Sequence, residues 1–248
     1  KGLPAINLEF LTSPAESFGS SGGIITQIVG SVLIVLGAAV FSLPIALGTT
    51  VYQTEFLTSP HIKKVSDTLI YVLNGVPSIV FGLFGLIFYV HLLGLGISWI
   101  VGSLILGTMI IPTIIVSIKN AIESIAVEYR EAGEALGLSK WRMIGAVILP
   151  NSIHGMITGL LMGLARAAGE TAPIMFTATV FSGVLFPSSF SDPVTTLPTH
   201  ILYLSFEATN PQALMNARGA TLVLLSLVFG MSLVSLYVRW KYKGLMKE

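Results

Sequence analysis

Five apolar stretches, each long enough to cross a lipid bilayer, dominate this 248-residue chain and leave few alternatives for its fold. They run over about residues 24–51, 69–93, 97–118, 153–182 and 219–238, and a spanning helix needs roughly 20 predominantly apolar residues. Backbone N–H and C=O groups find no water in the hydrocarbon core, so each stretch must satisfy them internally as a helix. Charged residues make up 10% of the chain, against about 25% in ordinary soluble domains. The expected fold class is therefore an all-α polytopic membrane protein, with the bilayer as its solvent. The chain has no cysteine, which removes disulfides and thiolate metal sites. A net charge of +1 is uninformative about partners, and no nucleic-acid partner is expected.

Pro44, Pro77, Pro112 and Pro173 lie inside four of the stretches. Neighbouring helices can resatisfy the carbonyl freed by proline, so the expectation at each is a kink within a continuous span. Gly82, Gly85, Gly155, Gly159 and Gly163 predict close helix–helix contacts. Lysine and arginine set the orientation. Residues 52–68, 119–152 and the tail hold ten of the 13 basic residues, among them Lys63, Lys64, Lys119, Arg130, Lys140, Arg142 and Lys247. The opposite connections hold Lys1 and, at the start of the fifth stretch, Arg218 as a boundary anchor. The C-terminus and the 119–152 loop are thus expected in the cytoplasm and residue 1 outside. The opening "KGLPAINLEF" lacks both an initiator methionine and a signal sequence. The simple expectation is five visible spans of six, with residues 1–23 an extracytoplasmic segment after an absent first span. Two copies of "EFLTSP", at 9–14 and 55–60, fall on opposite sides of this membrane and read as coincidence.

The loop "AIESIAVEYREAGEALGLSKWRMIGAVILPNSIHG" is the only long charged region. Its first part is rich in helix formers, Gly137 interrupts, and "SKWRMI" restarts a helix behind Ser139 as N-cap. Two short helices on a glycine joint would project from the membrane. Glu131, Ala132, Gly133, Gly137, Val147, Leu149 and Pro150 stand at the spacings of the EAA signature, which this loop resembles. That signature belongs to ATP-binding-cassette (ABC) importer permeases, with Gly133 here for the usual alanine and Val147 for isoleucine. The resemblance covers essentially the whole chain and implies a type I ABC importer transmembrane domain over 24–248. It further implies that Glu131, Ala132, Gly133, Glu134, Ala135, Leu136 and Gly137 form a coupling helix that docks on a separate ATPase subunit. No G-x-x-x-x-G-K-[ST] loop occurs in the chain. ATP and magnesium would be bound by that partner, this chain holding no cofactor and no enzyme activity of its own.

The fourth stretch, "GLLMGLARAAGETAPIMFTATVF", carries Arg166 and Glu170 four residues apart. At about 100° per residue, Gly155, Gly159, Gly163, Arg166 and Glu170 share an arc of less than about a third of a turn. Small residues and charges would then face protein rather than lipid. Each unpaired charge at mid-membrane costs roughly 2.5–3.5 kcal/mol, so the two are expected to pair. One reading is a buried ion pair that fixes helix register; the other is a substrate path, which intramembrane ionisable residues commonly mark. "ARAAGETAPIMFTA" and the opening "GLPAINLEFLTSP" resemble the phosphate-specific transport (Pst) permeases, above all the PstA type. By that resemblance the substrate is inorganic phosphate delivered by an extracytoplasmic binding protein. The partners would be a second permease of the PstC type, in a heterodimer, and two ATPase subunits. Arg166, Glu170 and Thr171 would lie on the substrate path, with Thr177 either donating to substrate or satisfying a helix carbonyl. The location implied is the cytoplasmic, inner, membrane. Another oxyanion such as molybdate or sulfate, or an ATP-independent secondary transporter, remains open at this point, with an intramembrane enzyme as the weakest reading.

His61, His91, His154 and His200 are dispersed, and no metal-ligand spacing appears, so no metal site is expected. Asp192 and Glu207 fall in the outer loop and read as solvated.

Overall fold

Long apolar runs with few interruptions become long helices, and in the computed structural model most of the chain is helical. It describes all residues except 1, 17–18, 20, 181–185, 207–209 and 244–248; Lys1, Lys247 and Glu207, singled out above, lie outside the described residues. A short helix α1 (Leu8–Thr12), N-capped by Asn7, precedes a two-stranded antiparallel ribbon of β1 (Ala15–Glu16) and β2 (Ser21–Gly22). Then follow α2 (Ile25–Val51), α3 (Pro60–Asn74), α4 (Ser78–Gly85) and α5 (Trp99–Glu123). The charged loop contains α6 (Val127–Ala135) and α7 (Lys140–Met143), and the chain ends with α8 (Leu149–Gly169), α9 (Ala172–Thr177), α10 (Leu197–Phe206) and α11 (Pro211–Lys243). Wider π turns extend α2 through Tyr52–Phe56, extend α4 through Leu86–Leu92, and join α7 to α8 through Ile144–Ile148. Among the described residues, four helical segments are long and apolar enough to span: Ile25–Phe56, Trp99–Glu123, Lys140–Gly169 and Pro211–Lys241.

Two expectations change. The 69–93 stretch breaks instead of kinking: α3 stops at Asn74, α4 begins only at Ser78, behind Pro77, and the pair Pro60–Asn74 and Ser78–Leu92 is bent by 93°, apolar enough to count together as a fifth, broken span or a re-entrant loop. Gly75 caps α3, and proline disfavours the helical region for Val76, so the two residue effects add at one joint. The 153–182 stretch also breaks. α8 ends at Gly169, Glu170 and Thr171 lie between helices, and Pro173 sits in the first turn of α9, where its missing N–H costs nothing. Pro44 and Pro112, by contrast, lie inside continuous helices as expected.

The described residues divide into two compact units, to which the long helices contribute segments. The first comprises Lys1–Phe41, Val76–Met109 and Leu164–Gly230. In it Phe10, Ile24, Leu197 and Ala220 form a buried cluster covered by Leu11, Ile28 and Ile201. α4 packs on α9, with Gly82 against Phe176 and Pro173. The second comprises Ser42–Gly75, Ile110–Gly163 and Met231–Glu248. Its α5 segment presents Ile110, Ile114, Ile118 and Ile122, all fully buried. α8 lies along α5: a Cβ on Gly155 would overlap Ala121, one on Gly159 would overlap Ser117, and one on Gly163 would press on Ile114. That is the close approach expected of these glycines. α3 is held to the end of α5 by Lys119–Asp67, by Lys63–Glu123 at 3.6 Å, and by Thr113 donating to Asn74 at 2.7 Å.

Candidate functional site

Arg166 stands in the last turn of α8 and Glu170 one residue beyond the helix end. Both charges therefore belong to a helix break rather than to the middle of a span. The last turn tightens as Glu170 N–H donates to the Ala167 carbonyl at 3.2 Å. Thr171 then takes the N-cap position of α9, where Met175 N–H donates to its carbonyl but its side chain caps nothing. The structure brings Arg166 Nε within 3.8 Å of Glu170 Oε1, an ion pair longer than a hydrogen bond, with the side chains 32% and 17% exposed. Thr177 Oγ1 donates to the Pro173 carbonyl at 2.7 Å, satisfying a helix carbonyl.

The charged loop is a second site and belongs to the second unit. α6 and α7 meet through a left-handed turn at Gly137, whose φ is +70°. A side chain rarely adopts that conformation, which accounts for the glycine. Ser139 occupies the N-cap position of α7 with extended backbone but makes no side-chain cap bond. Gly133 is buried, and a Cβ there would overlap Met143, so the two arms of the loop pack on each other. Glu131, Ala132, Glu134, Ala135 and Leu136 are exposed, Leu136 at 80%.

Sequence reasoning missed Glu55 and Phe56. They lie on the π turn that extends α2, inside the second "EFLTSP" copy. Arg130 Nη1 donates to Glu55 Oε1 at 3.1 Å and to Oε2 at 2.9 Å, and Phe56 lies 5.2 Å from Trp141 between ring centroids. No local signal marks Glu55, because its partner Arg130 lies 75 positions away. The first copy forms α1 and its cap instead, so equal residues take unrelated roles. Among the described residues no group of three or more histidine, aspartate or glutamate side chains is arranged to hold a metal ion. Asp192 is half-exposed but organised: its carboxylate accepts from Ser188 N–H and Oγ and from Ser189 N–H at 2.8–2.9 Å, which holds its pKa below the usual carboxylate value. Its carbonyl accepts from Trp99 N–H at the start of α5.

Residues 42–240 match the family described as binding-protein-dependent transport system inner membrane component. The phosphate transport system permease protein PstA of Pasteurella multocida (strain Pm70) is 31% identical over 225 residues, covering 91% of this chain and 79% of that protein. The chain belongs to this family, as an ABC permease of the PstA type. A second relative, a probable ABC transporter permease protein of Bacillus subtilis (strain 168), YqgI, is 30% identical over 244 residues, covering 93% of this chain and 83% of its own length. The PstA protein of Mycobacterium leprae (strain TN) is 33% identical over 215 residues, covering 86% and 69%. Among solved structures, a chain of the inward-facing MetNI methionine ABC transporter superposes with a TM-score of 0.64 at 17% identity, covering 87% of this chain and 96% of that one. A chain of a bacterial ABC transporter that imports alginate gives 0.60 at 15% identity, covering 90% and 80%. The family's fold, the type I ABC importer transmembrane domain, is that of this permease.

Proposed function

We propose that this chain is the membrane-spanning permease subunit of an ATP-driven importer that carries inorganic phosphate into the cytoplasm. The observation that carries the substrate is the similarity, over 91% of the chain in one case, to permeases named for phosphate transport. The geometry supplies a mechanism. Arginine stays protonated when desolvated, and its planar fork of donors matches a tetrahedral oxyanion. Arg166 at a helix break, with Glu170 near it, offers that fork where the chain is no longer a closed helix. Glu170 balances the cation and weakens its hold on phosphate, so that the anion can leave on the inner side. Thr171, whose hydroxyl does not cap α9, completes the polar lining.

Glu131 to Gly137 form the docking element for a separate ATPase subunit. Ala132, Ala135 and Leu136 offer a small exposed apolar face there, while buried Gly133 keeps α6 against the second arm. ATP and magnesium belong to that partner. The assembly contains a second permease of the PstC type, two ATPase subunits and an extracytoplasmic phosphate-binding protein. Gly155, Gly159 and Gly163 hold α8 on α5 and give the loop a firm base. Residues 1–23 form an extracytoplasmic segment and 24–248 the permease domain with its 119–152 coupling region, in the inner membrane with the C-terminus cytoplasmic. The basic residues behind that orientation, among them Lys63, Lys119, Arg130 and Arg142, belong to the second unit.

The test is the complete complex in vesicles with labelled phosphate, binding protein and ATP. Uptake should require ATP and be competed by unlabelled phosphate but not by sulfate or molybdate. Uptake without ATP, or equal competition by those anions, overturns the reading.

A further inference from the structure

The two arms of the charged loop are attached to α2 at adjacent residues. Glu55 is nearly enclosed, its side chain 11% exposed, and receives the guanidinium of Arg130, 30% exposed, from α6. Both carboxylate oxygens accept from Arg130 Nη1. Ion pairs withdrawn from water in this way are costly to break from one side, because the remaining charge loses its partner. Phe56 turns to the other arm. Its ring lies against Trp141, tilted by 45°, and Lys140 Nζ stands 5.6 Å from its centroid, within the range of a cation–π contact. One turn therefore grips the residue just before Glu131 and the two residues that open α7.

The surroundings concentrate load on these contacts. Glu55, Arg130, Glu134, Leu138, Lys140 and Met143 line a cavity of about 260 Å³ between the turn and the loop. A space of that size with charged walls has room for water and is not filled by packed side chains, so it stiffens the attachment little. The same turn also reaches α3, where buried Gln53 Nε2 donates to Ser66 Oγ. The turn is π-helical, closed by Leu57 N–H on the Tyr52 carbonyl at 3.0 Å, a geometry that often marks functional positions. Along the backbone the loop joins only α5 and α8; the bracket adds α2, a continuous helix back to Ile25.

We propose that Glu55 and Phe56 are positioning residues of the transport cycle: a two-point bracket through which movement of the coupling loop is delivered to α2. A single contact would let the loop pivot; two contacts, one on each arm, make loop and turn move together. This rests on the proposal that a partner ATPase drives the loop: a wild-type label that does not respond to ATP overturns that proposal, whereas an unchanged response in the variants overturns the bracket alone.

The chain has no cysteine, and a Cβ at Gly48 on α2 meets nothing within 4 Å. Gly48→Cys can therefore carry an environment-sensitive fluorophore that reports ATP-driven movement of α2 whatever the substrate. In the full complex, Glu55→Gln and Phe56→Ala should assemble and hydrolyse ATP. The ATP-driven signal change and the phosphate moved per ATP should each fall by at least about 5-fold, the scale of one or two lost contacts. The exchange Glu55→Arg with Arg130→Glu should restore at least half of both. An unchanged signal in the single variants overturns the bracket. So does parallel loss of assembly, hydrolysis and uptake that the charge exchange fails to rescue. A wild-type complex whose label responds to ATP while no phosphate moves overturns the substrate instead, and the label still decides the bracket.

Discussion

At Arg166 two sources of negative potential converge. The carbonyls of the last turn of α8 present the negative end of the helix dipole, and the Glu170 carboxylate stands 3.8 Å from Nε. Lysine would keep the charge but lose the fork that matches two oxygens of an anion at once. Charge-assisted hydrogen bonds contribute about 1.5–3 kcal/mol each, so removing the group should cost phosphate uptake about 100-fold. Arg166→Ala is expected to abolish measurable uptake while the complex still assembles, and Arg166→Lys to retain a small fraction. Labelled-phosphate uptake normalised to assembled complex reads this, and normal uptake by the alanine variant would remove Arg166 from the path.

Among the elements, the pairing of α8 with α5 gives the sharpest test of packing. Gly155 faces Ala121 so closely that even a methyl group would collide with it, whereas Gly230 on α11 has nothing within 4 Å of a would-be Cβ. Gly155→Leu should destabilise the permease by about 1–3 kcal/mol, the usual range for overpacking, and Gly230→Ala should not. Thermal unfolding in detergent, with Gly230→Ala as the reference, measures the difference; equal transitions would mean that α8 and α5 are not in contact. This stripe was readable beforehand because small residues four apart share a helix face. The spans around Pro44 and Pro112 were readable as well, since single prolines inside long apolar runs leave the rest of the helix intact. Pro77 and Pro173 were misread because hydropathy averages over a window and does not register a joint. At Gly75–Pro77 a cap glycine and a proline act together, and at Gly169–Pro173 a helix ends and another restarts inside a window whose average stays apolar despite Glu170 and Thr171. The left-handed turn at Gly137 was legible from residue type alone. Glu55 was not, because its meaning depends on Arg130, 75 positions away, and no local pattern encodes a contact at that distance.

For the molecule as a whole, the conditions on its two sides differ, and one buried group should make its stability depend on pH. His200 lies on α10, which is not one of the candidate spans and belongs to the 183–218 stretch proposed to face outside. Its side chain is buried beside Gln27, against Gly19, and near Asn216, which donates to the Gly19 carbonyl at 3.1 Å. These neighbours are uncharged. Gln27 Nε2 stands 3.5 Å from His200 Nδ1, an arrangement that suits a neutral ring accepting at Nδ1. A second proton would set two donors against each other in a site that already disfavours charge, and burial lowers the pKa to about 4. The unfolded chain titrates near 6.5, so between about 6.5 and 4 it binds the proton that the folded chain refuses. Stability from this group is full above that window, falls as pH drops through it, and levels off below, for a total of at most about 3 kcal/mol. Carboxylates titrate in the lower part of the same range, so the informative quantity is the difference between wild type and His200→Gln, whose amide cannot take up a proton there. Between pH 7 and 5 the transition temperature of wild type should drop more than that of the variant. Identical pH dependence of the two would show that His200 does not stay neutral in the folded protein, and the polar cluster around it would then have to be redrawn with a charged imidazole at its centre.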